Sequence, residues 1–261
     1  MNIFQYEFPD MLIKVSGKRE YLEDLCSGKI FMNESGYFRK LEDTYRGDKF
    51  DGKCLISFLN HKGEFLEFGP VDSPEQRIKI PIENIHNFTV GFTNDNKIPL
   101  YCCSQLSETI LWKEKETSLR FKEEFVSEME KFGDYYMLFS KTEFMQNILK
   151  FIEANQLGGK WGPVTYVDLQ TEYPAELLND EDRNQYDAFF KKDQSYRWQN
   201  EWRILLISNE APLINQDNNC FVANIDPLSW FHIGNVSELR TNPIEISERA
   251  DNDQIDDILS K

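Results

Sequence analysis

Histidine is scarce in this chain, cysteine is unpatterned and no apolar run is long. Each shortage removes a class of function. Three histidines, His61, His86 and His232, are scattered over 261 residues, which argues against a zinc site. The five cysteines, Cys26, Cys54, Cys102, Cys103 and Cys220, are odd in number and show no CxxC spacing, so they read as reduced thiols. No metal is expected. No apolar stretch approaches the roughly 18–20 residues of a membrane-spanning helix, and the first residues lack the pattern of a signal peptide. The expectation is a cytoplasmic chain without a membrane partner. Positive charge is also short: 29 lysines and arginines face 45 acidic residues, a formal net charge of −16. That balance opposes a broad nucleic-acid surface, which must neutralise phosphates. It leaves open an acidic face that docks on a basic partner.

What the chain does have is apolar and aromatic material, with 40% hydrophobic residues, 20 Phe and 11 Tyr, enough to build a packed core. Strands are expected over MLIKVS (11–16), KIFMN (29–33), IPLYCCSQL (98–106) and YYMLFS (135–140). CFVANI and WFHIG are expected to continue the sheet. A helix over REYLEDLCSG (19–28) would stop at Gly28, and a second over GYFRKLED would be capped by Ser35, with Phe38 and Leu41 on one face. Helical spacing returns in SLRFKEEFVSEMEKF (118–132) and in TEFMQNILKFIEANQLGG (142–159), the latter capped by Thr142 and stopped by glycine. CLISFL and EFLEF, joined by NHKGE, read as a hairpin, and NDEDRNQYDAFFKK as a charged helix. Short strands among a few helices, without regular βα alternation, predict an α+β fold. It would be a single domain over 1–250 with mixed or antiparallel sheets and peripheral helices. Residues 50–95 leave room for a hairpin insertion, and 251–261 read as an acidic tail.

The segment YRWQNEWRILL (196–206) reads as one strand. Alternation puts Trp198, Trp202, Ile204 and Leu206 on one side and Gln199, Glu201 and Arg203 on the other. The apolar side can bury itself, leaving a glutamate held rigidly two residues after a glutamine. A fixed carboxylate with an amide beside it suits the stabilisation of a sugar oxocarbenium ion and the orientation of a nucleophile. The plainer alternative is a surface ion pair between Glu201 and Arg203.

Three separated segments, in order, resemble ADP-ribosyltransferase-type folds. LIKVSGKREYLEDLCSGKIFMN is similar to their opening strand, helix and glycine; LYCCSQLSE resembles their strand ending in a serine motif; QNE (199–201) resembles the Q-x-E form of their catalytic strand. Over 10–55 and 98–210 the chain also resembles a widespread, uncharacterised bacterial family. That family carries a Cys-Phe-Ser-like strand, an aromatic-glycine segment comparable to KFGDYYMLF and an E-x-E-x-R-like strand. Lys14 stands where the transferases have Arg or His, CCS replaces a full Ser-Thr-Ser, and Gln199 replaces Glu.

The resemblance implies an ADP-ribosyltransferase-like fold with NAD, as substrate, in a cleft between two halves of the sheet. Glu201 would stabilise positive charge as nicotinamide leaves, Gln199 would orient the acceptor or water, and Ser104 would orient Glu201 or the ribose. Lys14, Arg46, Asp48, Tyr136 and Arg203 would contact NAD, and Tyr37 and Phe38 would either form a stacking wall or pack in the core. The acceptor would be a protein, nucleic acid, small molecule or water, and the role that of a bacterial toxin or defence effector. The alternatives are a non-catalytic nucleotide sensor on the same fold and an acidic interaction protein. A metal-dependent nuclease through Asp48, Asp51 and Glu201 is held in reserve.

Overall fold

One strand, shared by two others that part company along its edge, organises the molecule. The structure, a computed structural model, describes residues 10–41, 52, 54–57, 65–68, 74–81, 87–90, 97–168, 185–214 and 219–245. The chain begins with β1 (Met11–Ser16), α1 (Arg19–Cys26), β2 (Lys29–Glu34) and α2 (Ser35–Lys40). There follow β3 (Cys54–Ser57), β4 (Phe65–Phe68), β5 (Ile78–Pro81), β6 (Asn87–Val90), β7 (Pro99–Gln105), β8 (Leu111–Lys115) and β9 (Ser118–Phe121). The next elements are α3 (Glu123–Met129), β10 (Tyr135–Ser140), α4 (Lys141–Ala154), β11 (Gly158–Pro163) and β12 (Thr165–Val167). The last are β13 (Lys191–Asp193), β14 (Glu201–Ile207), β15 (Cys220–Asn224), β16 (Phe231–Asn235) and β17 (Ile244–Glu245). The fold is α+β with antiparallel sheets.

Among the described residues the main sheet has eight strands, ordered β11-β14-β7-β1-β10-β16, with β2 on β7 and β15 on β2. β14 runs along one edge of β7 from Glu201↔Ser104 to Leu205↔Leu100. On the other edge β2 pairs with the start of β7 (Glu34↔Pro99, Asn33↔Leu100) and β1 with its end (Ile13↔Ser104, Leu12↔Gln105). Between those pairings lie Tyr101, Cys102 and Cys103, where β1 and β2 diverge. The Lys14 ammonium donates to the Cys102 carbonyl (2.5 Å) and so supplies a hydrogen bond where the ladder is interrupted.

Both faces of the sheet are covered. Leu12, Ile30, Met32, Met137, Phe139, Trp202, Ile204 and Leu206 form one core with Leu22 and Leu25 of α1 and Phe144 and Ile148 of α4. Ile13, Tyr136 and Leu138 form a second core with α3 and with Val236 and Leu239. Leu100 and Leu205 meet Phe189 and Phe190 in a third.

Local chemistry moves several expected boundaries. Residues 118–121 are the strand β9, paired with β8, and the helix starts only at Glu123. Ser35 is the first residue of α2 rather than its cap; its hydroxyl accepts from Ile98 N–H. Ser140, not Thr142, caps α4 by accepting from Glu143 N–H, while the Thr142 hydroxyl donates to Asp10. Gly158 and Gly159 do not end that helix but open β11. In place of the expected β3–β4 hairpin, β3 pairs with β6 and β4 with β5. Of NDEDRNQYDAFFKK, 179–184 lie outside the described residues, whereas Gln185–Phe190 is a tight helical turn leading into β13.

Gly28 behaves as expected of a helix stop. Its φ of +95° is in the left-handed region, and a Cβ there would sit 2.2 Å from the Ile225 carbonyl oxygen. Gly28→Ala is expected to cost about 1–3 kcal/mol, read as a lower urea midpoint at unchanged slope. An unchanged midpoint would show that the α1–β2 turn is not constrained in this way.

Candidate functional site

Where β1 and β2 part, they leave a cleft of about 530 Å³ with β7 as its floor. β1 and the start of α1 supply Lys14, Lys18 and Tyr21; β2 and α2 supply Asn33, Tyr37 and Phe38; β7 supplies Cys102 and Ser104. Lys192, Gln199 and Glu201 close it from the far side of the chain.

The segment carrying the last two is not one long strand. Gln194–Gln199 forms a tight helical turn, and Asn200 reverses the chain in the left-handed conformation (φ 42°, ψ 50°). Asparagine tolerates that conformation better than most residues. Here its side chain also donates to the Gln105 carbonyl and the Ser107 hydroxyl, tying the turn to the end of β7. β14 therefore begins at Glu201. Trp198 leaves the face it was expected to share with Trp202 and packs edge-on against Phe132 instead.

Glu201 is gripped from two sides. Arg203, two residues along on the same strand face, donates from Nε to Oε1 (2.8 Å) and from Nη2 to Oε2 (3.1 Å). Its Nη1 donates to the Phe189 carbonyl (2.6 Å). Lys192 donates to Glu201 Oε2 (3.0 Å) and to Gln199 Oε1 (2.8 Å), and its ammonium lies 4.9 Å from the centre of the Tyr196 ring. The backbone N–H of Glu201 donates to the Tyr166 hydroxyl (2.8 Å). Tyr166 and Lys192 are register partners in the parallel pair β12–β13, so one small ribbon holds both the main chain and the carboxylate.

All of this happens out of water. Arg203 is 1% exposed, Lys192 4%, Gln199 6% and Glu201 8%. Burial alone pushes the Glu201 carboxyl up, but the charges of Arg203 and Lys192 outweigh it and hold the group far below the usual carboxylate range, aided by a hydrogen bond from Cys102. Next door, burial pushes the Cys103 thiol up to about 12, so it stays a thiol. Glu201 and Arg203 do share a strand face, as alternation predicted. Their ion pair, however, is interior, not the surface pair that was the plainer alternative.

Of the residues singled out from sequence, the structure gathers Glu201, Gln199, Ser104 and Lys14 in one cleft with Tyr37 and Phe38. Three of the expected residues stand differently from the expectation. Ser104 is the register partner of Glu201, yet the side-chain bonds that orient the carboxylate come from Arg203, Lys192 and Cys102. Arg203 is not among the cleft's lining residues and bonds to Glu201, where a direct contact with NAD was expected. Tyr136 belongs to the second core, beside His232, and is not a cleft residue. Arg46, Asp48 and Asp51 lie outside the described residues. Lys192 and Tyr166 escaped notice. In sequence Lys192 is one of two adjacent lysines in a charged stretch, and only the pairing of β13 with β12 shows which of them is buried.

Among the described residues no group of His, Cys, Asp and Glu is arranged to hold a metal ion, and no helix is long and apolar enough to cross a membrane. Comparison with family models, curated proteins and solved structures finds no match to this chain.

The ionised Glu201 makes a prediction about acid. Its folded pKa lies below its unfolded value of about 4.3, so the unfolded chain takes up the proton first as pH falls. The stabilisation is complete above that value and is lost progressively below it. Between pH 6 and pH 3 the wild type should therefore lose more unfolding free energy than Glu201→Gln, measured by urea titration at each pH. Parallel losses in the two proteins would contradict an ion-paired Glu201.

Proposed function

We propose that this chain is an ADP-ribosyltransferase-like enzyme that binds NAD in the fork between β1 and β2. One observation carries the proposal: an ionised carboxylate, Glu201, begins a strand inside a cleft, with the Gln199 amide beside it and aromatic side chains on the opposite wall. In the reaction the C1′–N bond of the nicotinamide ribose breaks. The bonding pair leaves on the ring nitrogen, so nicotinamide departs neutral and positive charge collects on the ribose. Glu201 stabilises that charge in a site screened from water, where such a contact is worth about 2–4 kcal/mol of barrier. An oxygen or nitrogen of the acceptor then bonds to C1′ and gives up its proton. Gln199 orients that acceptor, which is a protein, nucleic acid, small molecule or water. Tyr21 and Tyr37, both exposed at the cleft, offer flat surfaces to the rings of NAD.

A second reading, a nucleotide sensor that does not cleave its ligand, has one observation in its favour: Arg203 and Lys192 already engage both oxygens of Glu201. Nicotinamide release from NAD, scored by chromatography, separates the two. The enzyme reading expects release by the wild type and a loss of at least about tenfold, roughly 1.4 kcal/mol, in Glu201→Gln. Thermal protection by NAD without release favours the sensor. The absence of both release and protection rejects NAD as the ligand.

A further inference from the structure

The cleft is positive inside a negative protein. Among its described lining residues are three lysines, Lys14, Lys18 and Lys192, and a single carboxylate, Glu201. Arg203 stands directly behind that carboxylate, while the whole chain carries −16. The three lysines are not alike. Lys14 is held by the Cys102 carbonyl, and Lys18 sits at the mouth with its ammonium 5.5 Å from the centre of the Tyr21 ring. Lys192 alone is both buried and bonded to the functional pair Gln199 and Glu201.

Two buried cations converge on one carboxylate, and charge held out of water in this way is costly. Arg203 already satisfies Glu201 with a two-pronged contact and is anchored to the Phe189 carbonyl. The contact from Lys192 is single-pronged, and it comes from a three-residue strand paired with β12 outside the main sheet. An ammonium is a compact charge on a flexible stem, so it can turn toward a new anion where a guanidinium fork cannot.

We propose that Lys192 is a positioning residue that couples ligand recognition to Glu201. It receives a phosphate group of the ligand and, in doing so, gives up its hold on Glu201 Oε2 and Gln199 Oε1. The proposal rests on the proposed enzyme reading for its purpose, since it turns a fully engaged carboxylate into one able to face a ribose cation. It also accounts for the observation that favours the sensor. The ligand class that operates the device is a phosphate-bearing one; a neutral nucleoside leaves Lys192 on Glu201.

Because one ammonium is shared between two anions, the phosphate and Glu201 compete, and binding must show the competition. Inorganic pyrophosphate is titrated calorimetrically into the full chain. Wild type is expected to bind it, and Glu201→Gln to bind it about tenfold tighter, within the usual range of coupling between two sites. Lys192→Met should weaken binding at least about tenfold, Lys192→Arg should retain it, and in the Lys192→Met, Glu201→Gln double variant the gain from the second change should vanish. That last result separates a shared lysine from a general rise in positive charge. If Lys192→Met does not fold, Lys192→Gln and its double variant with Glu201→Gln take its place in the same titrations. Unchanged or weaker binding in Glu201→Gln, no binding by either protein, or a gain that persists in the double variant overturns the proposal. None of these titrations needs NAD cleavage. Competition without nicotinamide release would sink the enzyme reading and keep Lys192, and release without competition would do the reverse.

Discussion

A carboxylate buried between two cations is the interaction on which the site depends. Glu201 stays ionised because Arg203 and Lys192 reach it with good geometry, and its carboxylate in turn offsets their charge in the interior. Such a cluster is no cheap source of stability. Replacing a buried ion pair with apolar groups is often neutral or stabilising, whereas deleting one partner costs about 3–5 kcal/mol.

The backbone arrangement that holds this cluster follows from the interruption on β7. Had β1 and β2 followed one another without a gap along that edge, Tyr101–Cys103 would be an ordinary ladder and no floor would be exposed. Instead the two strands diverge, their helices α1 and α2 bring aromatic side chains to the rim, and a lysine supplies the Cys102 carbonyl with a hydrogen bond. β14, on the intact edge, can then present Glu201 opposite Ser104 without breaking the sheet. Specific chemistry is carried by side chains at the branch, and rigidity by the strands around it.

Much of the scaffold was legible because it rests on short-range rules. The bounds of β1 and the stop at Gly28 follow from alternation and from the need for a left-handed residue. Elements decided by distant partners were not. Ser118–Phe121 looks helical by spacing but is a strand because β8 lies beside it, and β3 pairs with β6 over the nearer β4. The site divides in the same way. Glu201 stood out through its place in a strand pattern, and Lys14 and Ser104 through a family resemblance. Lys192 carries no local mark, since its burial comes from a parallel ribbon formed with residues 165–167. Trp198 misled because Asn200 reverses the chain, and asparagine alone does not reveal that it has adopted φ 42°.

The account stands on the claim that the β1–β2 fork receives NAD with its nicotinamide ribose at Glu201. A crystal structure of Glu201→Gln soaked with NAD tests that most directly, since the substitution keeps the shape and removes the carboxylate that the proposed cleavage needs. The account predicts the ribose within hydrogen-bond distance of residue 201 and a phosphate oxygen at the Lys192 ammonium. NAD seated elsewhere on the molecule, or the fork occupied with the ribose turned away from residue 201, would contradict it.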